Sequence, residues 1–206
     1  MRQNSVYLEN KRPVRIAVFA SGGGSNARKI LENFSGYHQV EVSVLVTNNP
    51  HSGVFQFGPS FQVPVELLSP TQYKDGNYLT ALLKRYEVDL IILAGYLKLI
   101  PSEVVNQFPD RIINIHPALL PHYGGKGMYG MNVHRAVIAN GEVQSGITIH
   151  YVNERYDEGE IIFRKSLVIG DDWTPEVLQK EVLKLEHQHF SEVIRKVCEN
   201  FYLENK

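Results

Sequence analysis

The sequence predicts an α/β fold with a Rossmann-like, mostly parallel central sheet and helices on both faces. Three observations carry this reading. Val14 to Ala20 (VRIAVFA) and Val88 to Ala94 (VDLIILA) are largely apolar runs of strand length, as expected of strands buried on both sides. The first run breaks into Ser21-Gly22-Gly23-Gly24-Ser25-Asn26 and then into helical spacing at Ala27, Ile30, Leu31 and Phe34, the opening of a nucleotide-type α/β unit. Helical and strand-like segments then follow one another to the end of the chain.

In order, Val40 to Val46 (VEVSVLV) reads as the second strand and Val63 to Leu68 as a short third. Tyr78 to Tyr86 predicts a helix with Leu79, Leu82 and Leu83 inward, and Val88 to Ala94 the next strand. Pro101 opens a short helix to Phe108, since proline suits a first helical turn. Ile112 to Ile115 is a strand whose C-terminal end delivers His116, the usual place for chemistry in an open α/β sheet. A glycine-rich loop, Gly124 to Met131, precedes a helix over Asn132 to Ala139 closed by Asn140-Gly141. Gly146 to Val152 and Glu160 to Ile169 are strands around the loop Asn153 to Gly159. Thr174 as N-cap and Pro175 at the first position start a long final helix.

The 206 residues suit one domain, 1–206, with 1–13 as an N-terminal extension. No repeat or linker divides them. A net charge of −1 offers no basic field for nucleic acid. The first residues lack the apolar stretch of a signal peptide, and no run approaches the ~18 apolar residues that cross a bilayer. The single cysteine, Cys198, excludes an intramolecular disulfide framework and a cysteine-based zinc site, and fits a reducing, cytoplasmic setting. Monomer and homodimer are both open.

The most informative segment is Asn114-Ile115-His116-Pro117, with Asp157 farther on. These three polar residue types suit transfer of an acyl-level carbon to an amine. Histidine shuttles a proton near pH 7, an asparagine amide donates to an oxyanion without adding charge, and an aspartate raises the histidine pKa or orders a water beside it. No serine or cysteine nucleophile accompanies them, which fits direct attack by a substrate amine. A histidine alone is most often structural; its asparagine and proline neighbours at a strand end distinguish His116. His150, in a strand with polar neighbours, is a candidate supporting residue. His187 and His189 point to different faces of the final helix, which speaks against a metal site there. The Ser21-to-Asn26 loop suits phosphate, because glycines admit an anion to the backbone and the helix start supplies free N–H groups. It lacks the Lys-Ser/Thr of a P-loop and the full dinucleotide fingerprint. Asp157 and Glu186, taken singly, read as an ordinary turn and a solvated helix residue.

SGGGSN after the first strand, AGYLKLI at 94–100, NIHPALLP at 114–121, SGITIHYVNERYDEGEII at 145–162 and LEHQHF at 185–190 stand in one order. Together they closely resemble the phosphoribosylglycinamide formyltransferase family, folate-dependent enzymes of purine synthesis, over about Val14 to Tyr202. The resemblance implies the formyltransferase fold, with antiparallel strands toward the C-terminus. It also implies transfer of the formyl group of 10-formyltetrahydrofolate, as co-substrate and without a metal, to the amine of glycinamide ribonucleotide. By matching position, Asn114, His116 and Asp157 are the catalytic residues. Gly24, Ser25 and Asn26 bind the phosphate, and Glu186 the ribose. Leu97, Lys98, Leu99 and Ile100 line the folate pocket, and the loop residues Asn153, Glu154, Arg155 and Tyr156 meet the pterin. Thr148 matches a hydroxyl residue that helps hold water near the catalytic acid.

Two departures stand out. Lys98 occupies a place where arginine is frequent and loses the planar donor fork. The loop Tyr123 to Met131 is longer and richer in glycine than in shorter members, which fits a lid, a reshaped folate entrance or a tolerated surface insertion. Rival readings are a formyltetrahydrofolate deformylase, a methionyl-tRNA formyltransferase-like enzyme, and a non-catalytic nucleotide-binding protein on the same fold.

Overall fold

A computed structural model of the chain describes residues 12–204. Residues 1–11, most of the expected N-terminal extension, lie outside the described residues. Seven strands form one sheet: β1 (Val14–Phe19), β2 (Val40–Thr47), β3 (Val65–Leu67), β4 (Leu90–Leu93), β5 (Ile112–His116), β6 (Gln144–Tyr151) and β7 (Ile161–Val168). Their spatial order is β3-β2-β1-β4-β5-β6-β7. The first five are parallel, and β6 and β7 are antiparallel to their neighbours. The mostly parallel sheet and its antiparallel C-terminal strands are both as expected.

Alternation within the strands explains the two-sided core. Ile16 and Val18 of β1, with Leu90 and Ile92 of β4, face one layer; Ala17, Phe19, Ile91 and Leu93 face the other. Burying each large side chain contributes on the order of 2 kcal/mol, so a polar residue at any of these positions would be costly on either face. The first layer is completed by α1 (Ser25–Phe34), α5 (Met131–Ala139) and α6 (Pro175–Glu204), the second by α3 (Gly76–Arg85) and α4 (Ser102–Gln107). A further short helix, α2 (Val54–Phe57), was not legible in the sequence. It has one turn, too short for a periodic signal, and Gly53 at its start donates its N–H to Gly22 O.

Local signals behave as their chemistry requires. Thr174 Oγ1 accepts from Val177 N–H at 3.4 Å at the start of α6. Asp75 caps α3 by accepting from Tyr78 N–H, starting that helix two residues earlier than expected. Cys198 is packed in the core, and burial pushes its thiol up to about 12. On the edge strand β7, Arg164 and Lys165 are exposed, charges that discourage further strand addition.

The strand order reverses at β1, whose neighbours are β2 and β4, and a crevice forms beyond the C-terminal ends of β1 and β4. Ser21 ties this point together. Its N–H donates to Gly95 O, its hydroxyl donates to Asn48 Oδ1 at 2.6 Å, and that hydroxyl accepts from Leu97 N–H at 3.0 Å. The loops after β1 and β4 are thereby held side by side.

Candidate active site

Those two loops, the end of β5, the 123–131 loop, the 153–157 loop and one face of α6 enclose a cleft of about 640 Å³. That volume suits a small-molecule site. Asn114, His116 and Asp157 all line it. β5 presents Asn114 and His116 on the same side, because side chains two apart share a strand face. Opposite them on β6 stand His150, paired with Asn114, and Thr148, paired with His116. Asp157 comes from the turn after β6, where its φ of 55° is unusual for a residue with a side chain. Gly159 then passes so close to β6 that a Cβ there would lie 1.7 Å from Tyr151 O.

The hydrogen bonds fix the state of His116. Its Nε2 lies 2.8 Å from Tyr123 O. A carbonyl can only accept, so Nε2 carries the proton and neutral His116 keeps its lone pair on Nδ1. Nδ1 lies 3.6 Å from Asp157 Oδ2. A proton arriving at Nδ1 is therefore met by a carboxylate on one side while the ring is held by a carbonyl on the other. Burial lowers the His116 pKa, outweighing the opposing pull of Asp157 and of the Tyr123 carbonyl. His116 is only 3% exposed, and desolvation of the charged form dominates at that depth. Burial would raise Asp157, but His150, His116 and the Gly125 N–H, which donates to Oδ2 at 2.9 Å, together hold it below the ordinary value.

Asn114 Nδ2 is 3.1 Å from His150 Nε2 and 3.5 Å from Asp157 Oδ1. His150 Nδ1 donates to Tyr151 O at 2.7 Å, which orients the imidazole against the amide. The contact with Asp157 is at the outer limit of a hydrogen bond, so one amide N–H can be redirected to a ligand at small cost.

At one end of the cleft, α1 begins without a side-chain cap and with no acidic residue in its first turn. Gly24, the N-cap, has φ 72°, a conformation that favours glycine. The N–H groups of Ser25 and Asn26 are thus open to an anion. Asn26 Nδ2 donates to Glu186 Oε2 at 2.5 Å, bringing the buried acid of α6 to the same end. Burial raises Glu186 to about 7, against the opposing Asn26 hydrogen bond.

At the other end, Leu97 and Leu99 are each 45% exposed and line the cleft, which removes the plain core explanation for them. Ile100 both lines the cleft and is 4% exposed, so it serves core and wall together. Lys98 lies 5.4 Å from the centre of the Tyr73 ring. Asn153, Arg155 and Tyr156 form the facing wall.

Three expected residues are placed otherwise. Glu154 does not line the cleft; it accepts from Asn106 Nδ2 at 3.4 Å on the exposed side. Thr148 is fully buried, donating to Ala118 O at 2.7 Å and accepting from Leu120 N–H at 3.0 Å. Its hydroxyl proton is spent on the segment after β5, so that Thr148 supports that loop. Gly24 is not among the residues that line the cleft, and a Cβ there would meet the Phe57 ring at 3.0 Å. Among the described residues, no group of three His, Cys, Asp or Glu side chains could hold a metal ion.

Comparison with known proteins decides the lineage. The formyl transferase family model matches residues 14–194. The chain is 48% identical over 195 residues to a chloroplastic phosphoribosylglycinamide formyltransferase of Arabidopsis thaliana, covering 91% of this chain and 66% of that protein. It is 33% identical to the phosphoribosylglycinamide formyltransferase of Bacillus subtilis (strain 168), covering 89% of this chain and 94% of that protein. This chain belongs to the phosphoribosylglycinamide formyltransferase family. A solved structure of glycinamide ribonucleotide transformylase 1 from Symbiobacterium toebii superposes with a TM-score of 0.82 at 30% identity, covering 91% of this chain and 89% of that one. A formyltetrahydrofolate deformylase of Pseudomonas syringae also reaches 0.82, at 18% identity, which shows a shared fold alone. The chain spans about two thirds of the length of the plant relatives.

Within this family member, sequence reasoning missed His134. It lies on α5, is 3% exposed, lines the cleft, and its Nδ1 has no hydrogen-bond partner among the described residues. Burial pushes it down to about 4, with His116 adding to the shift, so it stays neutral beside the centre. The signal was available: His134 lies between buried Val133 and Val137 on the apolar face of α5, where a polar residue is unusual.

Proposed function

We propose that this chain transfers the formyl group of 10-formyltetrahydrofolate to the amine of glycinamide ribonucleotide, giving formylglycinamide ribonucleotide and tetrahydrofolate in purine synthesis. One observation carries the reading. Asn114, His116 and Asp157 line one cleft together with an anion-suited part, the uncapped helix start at Ser25 and Asn26 beside Glu186, and a partly apolar part, residues 97–100. A ribonucleotide held at the first part and a folate at the second bring amine and formyl carbon to these residues.

The phosphate lies against the N–H groups at the start of α1, and Glu186 with Asn26 takes the ribose hydroxyls. The flat pterin lies between the 97–100 segment and the 153–156 loop. The amine attacks the formyl carbon, and Asn114 Nδ2 with His116 stabilises the tetrahedral oxyanion. The proton lost by the amine is carried through His116 to the folate nitrogen as the carbon–nitrogen bond to folate breaks. Asp157 stabilises the protonated imidazole. Folate acts as co-substrate, and no step calls for a metal. Residues 1–206 work as one formyltransferase domain on small molecules, in the cytoplasm, as monomer or homodimer. Ordinary charge and a single buried cysteine support that setting, and plant relatives carry chloroplastic names.

The test is tetrahydrofolate release by the purified chain with and without glycinamide ribonucleotide. Release only with the ribonucleotide supports transfer. Release without it indicates deformylation, and release only with charged initiator tRNA indicates the third activity.

Two predictions arise here. Leu97→Asp, once shown to be folded, should weaken a non-hydrolysable formyl-folate analogue at least tenfold in calorimetry and leave ribonucleotide binding within twofold. Unchanged analogue affinity would place folate elsewhere.

The second concerns Glu186. A carboxyl raised from 4.5 to about 7 by folding binds more protons in the folded than in the unfolded state between those values. Stability is therefore lost as pH rises from about 4.5 to about 7, by up to about 3 kcal/mol. Glu186→Gln should abolish this loss, becoming more stable than wild type at pH 8 and similar at pH 4.5, as read by urea unfolding. Its ribonucleotide affinity should fall while folate affinity holds. Parallel pH profiles for the two proteins would refute the assignment.

A further inference from the structure

The backbone that sets the His116 tautomer is anchored by a cluster outside the cleft. Tyr123 supplies the carbonyl that accepts from His116 Nε2, and two residues on, Gly125 N–H donates to Asp157 Oδ2. One short stretch of chain therefore addresses both the imidazole and the carboxylate. Tyr123 itself has φ 58°. A bulky residue takes that conformation only where its surroundings over-determine it.

The surroundings do so through the Tyr123 side chain. Its hydroxyl donates to Glu142 Oε1 at 2.6 Å and accepts from Asn140 Nδ2 at 2.9 Å. Asn140 ends α5 and Glu142 lies in the turn before β6. That turn is itself fixed, since Gly141 N–H donates to Ile138 O and Glu142 N–H to Val137 O. The Tyr123 ring packs against the main core cluster. Burial and Glu142 both raise the phenol pKa, so the hydroxyl remains a donor. Neither Glu142 nor Asn140 lines the cleft.

We propose that Tyr123, clamped by Glu142 and Asn140, is a positioning residue that fixes His116 as the Nε2–H tautomer and leaves Nδ1 as the proton acceptor facing Asp157. Without the clamp, the residue can relax from its left-handed conformation and rotate its carbonyl away from Nε2. The proton is then free to sit on Nδ1, where the catalytic lone pair is needed. The cluster acts on turnover and not on binding, because it touches neither end of the cleft. This role rests on the formyl-transfer reading for its kinetic consequence but not for its tautomeric one.

The experiment compares wild type, Tyr123→Phe, Glu142→Gln and the double variant, each first shown to be folded by thermal unfolding. Nitrogen-15 NMR of the ligand-free proteins at pH 7.5 reads the His116 tautomer. Steady-state kinetics reads kcat and KM. Wild type should show Nε2–H alone. Tyr123→Phe should populate both tautomers, lose about tenfold in kcat, and keep KM for both substrates within twofold. Glu142→Gln should show the same changes to a lesser degree. The double variant should be no worse than Tyr123→Phe, because the groups act as one unit. An unchanged tautomer in Tyr123→Phe overturns the proposal, as does a raised KM with kcat intact. A wild type without formyl transfer would refute the functional reading while leaving the tautomer result to decide this one.

Discussion

His116→Ala is expected to lower kcat by at least about 100-fold while KM for each substrate changes by less than threefold. Removing a positioned proton carrier typically costs 100- to 10,000-fold, and His116 also contributes to oxyanion stabilisation in this account. It holds no substrate in the ground state, so binding is spared. The wild-type profile adds a second readout. Neutral His116 is the active form and burial depresses its pKa, so kcat should fall on the acid side with an apparent pKa below 6.5. Steady-state kinetics from pH 5 to 9 checks both. Near-normal turnover in His116→Ala would remove it from the chemistry.

Asp157→Asn is expected to be nearly as damaging. The substitution preserves size, and an amide oxygen can still accept from Gly125 N–H, so the loop should stay in place. The negative charge opposite His116 Nδ1 is lost. That charge raises the His116 pKa, so its removal should move the acid limb to lower pH while the plateau falls about 100-fold or more. A lower plateau alone would fit many kinds of damage. The displaced limb is specific to electrostatic support of the imidazolium. An acid limb that stays fixed, or moves upward, would show that Asp157 acts otherwise.

Much of this was legible in the residues, for identifiable reasons. β1 and β4 announce themselves because both faces of each are buried, leaving few polar residues in the run. His116 was placed at a strand end, and β5 ends there. The start of α1 was readable from its glycines. Asp157 was not: an aspartate in a turn is ordinary, and only the family resemblance marked it. His150 looked like a strand residue with polar neighbours, and the antiparallel register that sets it opposite Asn114 is a property of the sheet. The contributions of Tyr123 and Gly125 were invisible for a deeper reason. They act through a backbone carbonyl and amide, which every residue but proline carries alike. Thr148 is the opposite case: its hydroxyl holds the backbone at Ala118 and Leu120, a role its residue type alone does not announce.

The most direct test of the account follows the carbon itself. Folate labelled with carbon-13 in its formyl group is mixed with an excess of enzyme and glycinamide ribonucleotide, and the label is traced by NMR through a single turnover. The account predicts that the formyl signal passes directly to the ribonucleotide amide, with tetrahydrofolate appearing in equal amount. Label recovered as free formate, or held covalently on the protein, would contradict direct attack by the substrate amine at the Asn114, His116 and Asp157 centre.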